Sequence, residues 1–124
     1  MGLTKFLSAY RITHRLPGRI RIHIPALEKL PAEWRKYLEP SADIVSMLKG
    51  INTVQIQPVS GSLLITYDPG RIDEAGILQW LKSLVTAFLK QEIPSKPFTD
   101  ANIRLRLERL HDWLSRNGAI RGIN

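Results

Sequence analysis

The stretch from His14 to Pro25, HRLPGRIRIHIP, constrains the fold of this chain more than any other. From Arg19 onward, Arg19, Arg21 and His23 fall on one side while Ile20, Ile22 and Ile24 fall on the other. Successive side chains of a strand point to opposite faces, so this alternation predicts a strand with one face in a core and a cationic face in water. Pro17-Gly18, just before it, is turn chemistry: proline presets φ and glycine accepts a positive one.

The rest of the chain supplies partners for that strand. Pro31 and Pro40 bracket a segment in which Trp34, Tyr37 and Leu38 sit at helical spacing, which predicts a short helix from about Ala32 to Glu39 that Pro40 ends or kinks. Ser41 reads as the N-cap of a second piece with Ile44, Val45 and Leu48 on one face, and Gly50 as its left-handed stop. Thr53–Gln57 and Ser62–Tyr67, separated by Pro58-Val59-Ser60-Gly61, read as a hairpin. Asp73 can cap a helix to about Lys90, with Ile77, Trp80, Leu81, Leu84 and Phe88 in one apolar stripe. Leu78, Val85 and Leu89 widen that stripe beyond what a single sheet face covers. A Pro-containing connector at 93–98 precedes a last amphipathic helix, capped by Thr99 or Asp100 and running to about Arg116. Its Leu107, Leu110 and Leu114 are the natural cover for the surplus, in the same chain or in a second copy. Asn117-Gly118 ends it before a short tail.

Composition narrows the chemistry. A chain of 124 residues fits one domain of about 1–92, with the connector and the helix and tail of 99–124 appended. It has no cysteine, which rules out disulfides and thiolate metal sites and restricts any bound metal to a divalent ion held by imidazole, carboxylate or backbone oxygen. The net charge of +7 is concentrated: Lys5, Arg11, Arg15, Arg19 and Arg21 occur before His23 with no acidic residue among them. No segment reaches the roughly twenty apolar residues of a membrane-spanning helix, and the N-terminal residues lack a secretory pattern, so the expected location is cytoplasmic. The carboxylates stand mostly at helix starts and turns, where capping accounts for them. Ser60, Gly61 and Ser62 lie in a hairpin turn, not at a nucleophile elbow. The residues therefore indicate a binding or accessory module, not an enzyme.

Strand, helix, hairpin, helix is a split βαβ arrangement, an α+β class in which an antiparallel sheet carries its helices on one face. In that setting HRLPGRIRIHIP, followed by LKGINTVQIQPVSGSLLITYDP, resembles the heavy-metal-associated-like domain found alone or at the N-terminus of some metal-transporting P-type ATPases. The pieces that carry the resemblance are Leu16-Pro17-Gly18-Arg19, Gly50-Ile51, and Gly61-Ser62 through Tyr67-Asp68-Pro69. It implies a ferredoxin-like fold and a role in metal handling or partner docking. Ordinary members of that group hold a soft ion with Cys-x-x-Cys in the loop after the first strand; here the loop is Ala26-Leu27-Glu28-Lys29-Leu30, and the thiolate chemistry does not carry over. The group's last strand is also missing. Ser8–His14, with Tyr10, Ile12 and Thr13, can replace it by folding back at Pro17-Gly18; otherwise the first strand keeps an open edge for a second molecule.

The candidate working surface is Arg15, Arg19 and Arg21 with His14 and His23, for an acidic partner or anionic ligand. His14 and His23 are the paired candidates for a thiolate-free metal site. A turn on Gly18-Arg19 sets them across from each other, and one on Pro17-Gly18 sets His14 across from Arg21. Leu78, Val85, Leu89, Leu107, Leu110 and Leu114 are assigned to helix packing or self-association, with a homo-oligomer expected. The functional expectation is a docking module in metal ion transport or storage, its partner a protein such as a metal-transporting ATPase or a storage assembly. The alternative is non-specific binding to nucleic acid or to an anionic membrane surface.

Overall fold

The computed structural model describes residues 10–90 and 100–118, the side chains at 26, 88–90 and 100–102 excepted. Its strands are β1 (Arg11–Leu16), β2 (Arg19–His23), β3 (Ile51–Gln57) and β4 (Ser62–Tyr67), paired antiparallel in the order β1-β2-β4-β3. α1 (Pro25–Glu28) follows β2, and a 3-10 helix over Ala32–Tyr37 runs straight into α2 (Leu38–Val45). α3 (Glu74–Lys90) follows β4, and α4 (Asp100–Asn117) comes last. The fold is ferredoxin-like, with β1 on the edge of β2 where the closing strand of such a sheet would lie. Ser8 and Ala9, the connector at 93–98, the Thr99 cap and the tail at 119–124 lie outside the described residues.

The β1–β2 hairpin follows from its turn. Leu16 pairs with Arg19, so the loop is the two residues Pro17 and Gly18. Gly18 has φ +84°, and proline before it cannot take a positive φ; together these specify a type II turn. The Gly18 carbonyl also accepts from the Tyr67 amide at 2.9 Å, and a Cβ at Gly18 would lie 3.0 Å from the Tyr67 carbonyl oxygen. The turn thus joins the hairpin to β4 as well as closing it.

A one-residue slip at Thr13 then sorts the side chains of β1. Ile12 opposes Ile22 and His14 opposes Arg21, with Thr13 as the extra residue between them. In a regular strand Ile12 and His14 would share a face; the bulge puts them on opposite ones. Ile12 turns toward the helices and joins the core, and His14 is left exposed.

The core lies between the helices and one face of the sheet. Ile20 and Ile65 from the central strands and Ile77 and Trp80 from α3 are fully buried. Ile44 and Leu48 close one side, and Leu110 and Leu114 of α4 complete the cluster. Trp80 is polar at one end, and its indole N–H donates to the Val45 carbonyl at 2.8 Å. Val45 is the last residue of α2, so α3 satisfies a carbonyl that the helix end leaves without an internal donor.

Two sequence expectations change in the connection from β2 to β3. Pro40 does not end a helix; it is the third residue of α2, within the first turn, where a missing N–H breaks no intrahelical bond. Ser41 is inside the helix instead of capping it, and its hydroxyl donates to the Tyr37 carbonyl at 2.7 Å. Asp73 does cap α3, accepting from the Gly76 amide at 2.8 Å.

Gly18→Ala should destabilise the fold by about 1–2 kcal/mol, the cost of a side chain in the left-handed region, seen as a lower urea midpoint at unchanged m. Trp80→Phe should cost about 2–4 kcal/mol by the same measurement, because it leaves the Val45 carbonyl unpaired and a cavity beside it.

Candidate functional site: the open face of the sheet

Opposing residues in an antiparallel pair point to the same side, so the register fixes what the helix-free face presents. One row runs Leu16, Arg19, Thr66, Thr53; the next His14, Arg21, Leu64, Gln55; the third Arg11, His23, Ser62, Gln57. No strand residue is acidic. Arg19 and Arg21 are exposed and, among the described residues, neither makes an ion pair or side-chain hydrogen bond. Their Cα atoms are two residues apart along one strand, about 6.6 Å. Beside them lie the Thr53 and Thr66 hydroxyls, hydrogen-bonded to each other, and the exposed amides of Gln55 and Gln57. The result is a column of unneutralised guanidinium groups over a neutral polar floor.

The other expected residues divide. Arg15 opposes Ile20 and therefore stands on the helix-bearing side, where its guanidinium holds Glu74 at the start of α3 through two bonds, 2.8 and 3.2 Å. That hydrogen bond first, and the carboxylate charge second, raise the Arg15 pKa above its usual value. Arg15 thus ties β1 to α3 and is not in the row with Arg19 and Arg21. Arg11 takes a place on the open face that the candidate surface did not include. The turn register alone places Arg15, and the bulge at Thr13, which alternation does not show, places Arg11.

His14 and His23 are not brought together. The turn is centred on Pro17-Gly18, so His14 opposes Arg21 and His23 opposes Arg11. The Arg11 guanidinium donates to His23 Nδ1 at 3.4 Å, and His23 Nε2 lies 2.8 Å from Glu28 Oε2. A guanidinium only donates and a carboxylate only accepts, so these partners fit a ring that accepts at Nδ1 and donates from Nε2, leaving no lone pair directed at solvent. Among the described residues no group of three or more His, Cys, Asp or Glu is placed to hold a metal ion.

The loop that would carry paired thiolates is closed instead. The Ile24 amide donates to the Gly61 carbonyl at 2.7 Å and the Leu27 amide to the Ile24 carbonyl at 2.9 Å, while the Leu27 side chain is buried. Glu28 lies against Gly61, where a Cβ would meet its Cγ at 2.8 Å. Position 61 has to be glycine for Glu28 to reach His23 over the hairpin turn.

Four of the six helix-face residues pack within the chain. Leu110 and Leu114 are in the core, and Leu78 and Leu107 lie against it; Val85 is half-buried, and the Leu89 side chain is outside the described set. A shallow groove between α2 and α4, floored by Tyr37, Ile44 and Leu107, carries charges of both signs, Lys36 and Arg104 against Asp43 and Asp112. Four further carboxylates have structural partners: Glu74 with Arg15, Glu28 with His23, Asp73 at a helix cap, and Asp68 with the Gly70 amide and Arg71. No helix among the described residues is long and apolar enough to cross a membrane.

Comparison with known proteins agrees with the fold. The family described as heavy metal associated domain 2 matches residues 3–117, a span that takes in α4 as well as the sheet and the earlier helices. Searches of curated proteins and of solved structures returned no match. With a match across nearly the whole sequence, on a ferredoxin-like sheet whose metal-loop position carries no cysteine, the chain belongs to the heavy metal associated domain 2 family.

Proposed function

We propose that this metal-related module is a non-enzymatic docking protein of metal ion transport or storage, which binds an acidic protein surface through the open face of its sheet. One observation carries the reading: Arg19 and Arg21 stand exposed, without carboxylate partners among the described residues, on strands that contain no acidic residue. Guanidinium groups are suited to bidentate capture of carboxylates, and hydroxyls and amides beside them add neutral hydrogen bonds. The partner in this reading is a cytoplasmic, acidic region of a metal-transporting ATPase or of a storage assembly. Arg11 and Arg21 flank the two histidines, so His14 and His23 contribute to the same surface as polar neighbours.

Nucleic acid is disfavoured by what the central strands lack. Sheets that read single-stranded RNA stack bases on aromatic side chains. On the open face β2 offers Arg19, Arg21 and His23, and β4 offers Ser62, Leu64 and Thr66; Tyr67 is buried on the other side. Phosphate contacts alone would give binding without base preference.

A glutamate-rich peptide should bind the full chain with an affinity that falls as salt rises. Arg19→Glu with Arg21→Glu should weaken it at least about tenfold, read by calorimetry, with an unchanged far-ultraviolet spectrum. Arg15→Ala, on the opposite face, should leave that affinity unchanged. Equal binding by the double variant would remove the proposed surface, and preference for a single-stranded oligonucleotide over the peptide would transfer the reading to nucleic acid.

A further inference from the structure

The two edges of the sheet are built differently. β1, at one edge, carries Arg11, His14 and Arg15 and is interrupted by the Thr13 bulge, the devices by which an edge strand discourages pairing with another chain. β3, at the other, reads INTVQIQ, with no charge, proline or glycine. Among the described residues it pairs with β4 alone, in unbroken register from Thr53 to Gln57. Its one irregularity lies at Asn52, near the start of the strand, and the five regular, uncharged residues Thr53–Gln57 on an edge are a template for a further strand.

The sequence of that edge also says which strand fits it. Laid antiparallel on a second copy about a two-fold axis at Gln55, the regular stretch sets Thr53 opposite Gln57, Val54 opposite Ile56, and Gln55 opposite Gln55. Val54 and Ile56 are only partly buried where they pack on their own core, and the second copy's pair would cover both. The Gln55 amides, each both donor and acceptor, complement one another across the axis. Pairing β3 with β1 of another copy would instead set this stretch against charges and a bulge, and would leave an unclosed chain of molecules.

The arginines of β2 do not oppose the pairing. In the joined sheet the two β2 strands are five strand spacings apart, about 24 Å, well beyond the screening length of about 8 Å at physiological salt. We propose that two copies of this chain associate by antiparallel pairing of β3 about Gln55, forming one eight-stranded sheet. Both open faces then look the same way, giving two Arg19–Arg21 columns on one surface. The pairing stands whether or not that surface docks an acidic partner.

Sedimentation velocity on the full chain over a dilution series should show a reversible monomer–dimer equilibrium. Gln55→Lys, which places two ammonium groups face to face, should weaken dimerisation at least about tenfold, while Thr13→Lys, the same charge on the other edge, leaves it unchanged. If Gln55→Lys perturbs the fold by circular dichroism, Gln55→Cys replaces it: the chain has no other cysteine, and mild oxidation should yield a covalent dimer far faster than Thr13→Cys does. A wild type that stays monomeric at every concentration overturns the proposal. So do equal effects of the two lysine variants, equal oxidation of the two cysteine variants, or loss of the dimer in a folded Leu105→Ser with Trp113→Ser variant, which replaces the two large apolar side chains that α4 leaves partly exposed.

Discussion

A strand that buries one face still has two edges, and the architecture depends on how the edge of β2 is closed. In a split βαβ sheet a strand following α3 would do it, but among the described residues the next element after α3 is α4. The Pro17-Gly18 turn closes the edge from the other direction, folding Arg11–Leu16 back along β2. A proline that fixes one φ and a glycine that accepts the opposite sign make that reversal in two residues, while the Gly18 carbonyl is taken by Tyr67 of β4. The same reversal frees the C-terminal segment to be a helix, and α4 then adds Leu110 and Leu114 to the core. Arg15 secures the arrangement by holding Glu74 across the helix-bearing side.

Period-two alternation made β2 and its two faces legible, because the isoleucines had nowhere else to go. The hairpin of β3 and β4 and the apolar stripe of α3 were legible on the same grounds. The N-terminal strand could be inferred from the turn and from the absence of a closing strand, though its register could not. A bulge is one extra residue, and in RITHRL nothing marks Thr13 as that residue until Ile12 is seen against Ile22. The turn register places Arg15 opposite Ile20 and His14 opposite Arg21, while the slip accounts for Ile12 turning inward and Arg11 joining the open face opposite His23. Pro40 was misread for a different reason: proline is a helix breaker or a helix starter according to its position in the first turn, and sequence does not fix where a 3-10 segment gives way to α.

The loop after β2 shows how the site of a soft-metal domain can be converted to structure. Where ordinary members carry thiolates, Leu27 fills space and Glu28 crosses Gly61 to reach His23. His23 in turn accepts from Arg11, so α1, β2 and β1 are joined by one chain of polar contacts. A carboxylate, an imidazole and a guanidinium in sequence satisfy one another, leaving the loop's polar groups little to offer a ligand. The chemistry that remains accessible has moved from the loop to the face of the sheet.

In the proposed docking, that face would select its partner largely by what it excludes. In water two neighbouring guanidinium groups repel weakly, and Arg19 and Arg21 can stand side by side at small cost. Covering them with another protein lowers the effective dielectric from about 80 toward about 20, which strengthens their mutual repulsion about fourfold and strips each of hydration. An apolar or basic surface supplies nothing to offset either change. Carboxylates offset both, and the Thr and Gln side chains alongside can bond whatever neutral groups arrive with them. The column therefore discriminates against most surfaces before any specific contact is made, and it does so on a rigid sheet whose opposite side is occupied by the core. A face with these properties is suited to recognising charge pattern in a partner, with the fold supplying position and the absence of acidic strand residues supplying selectivity.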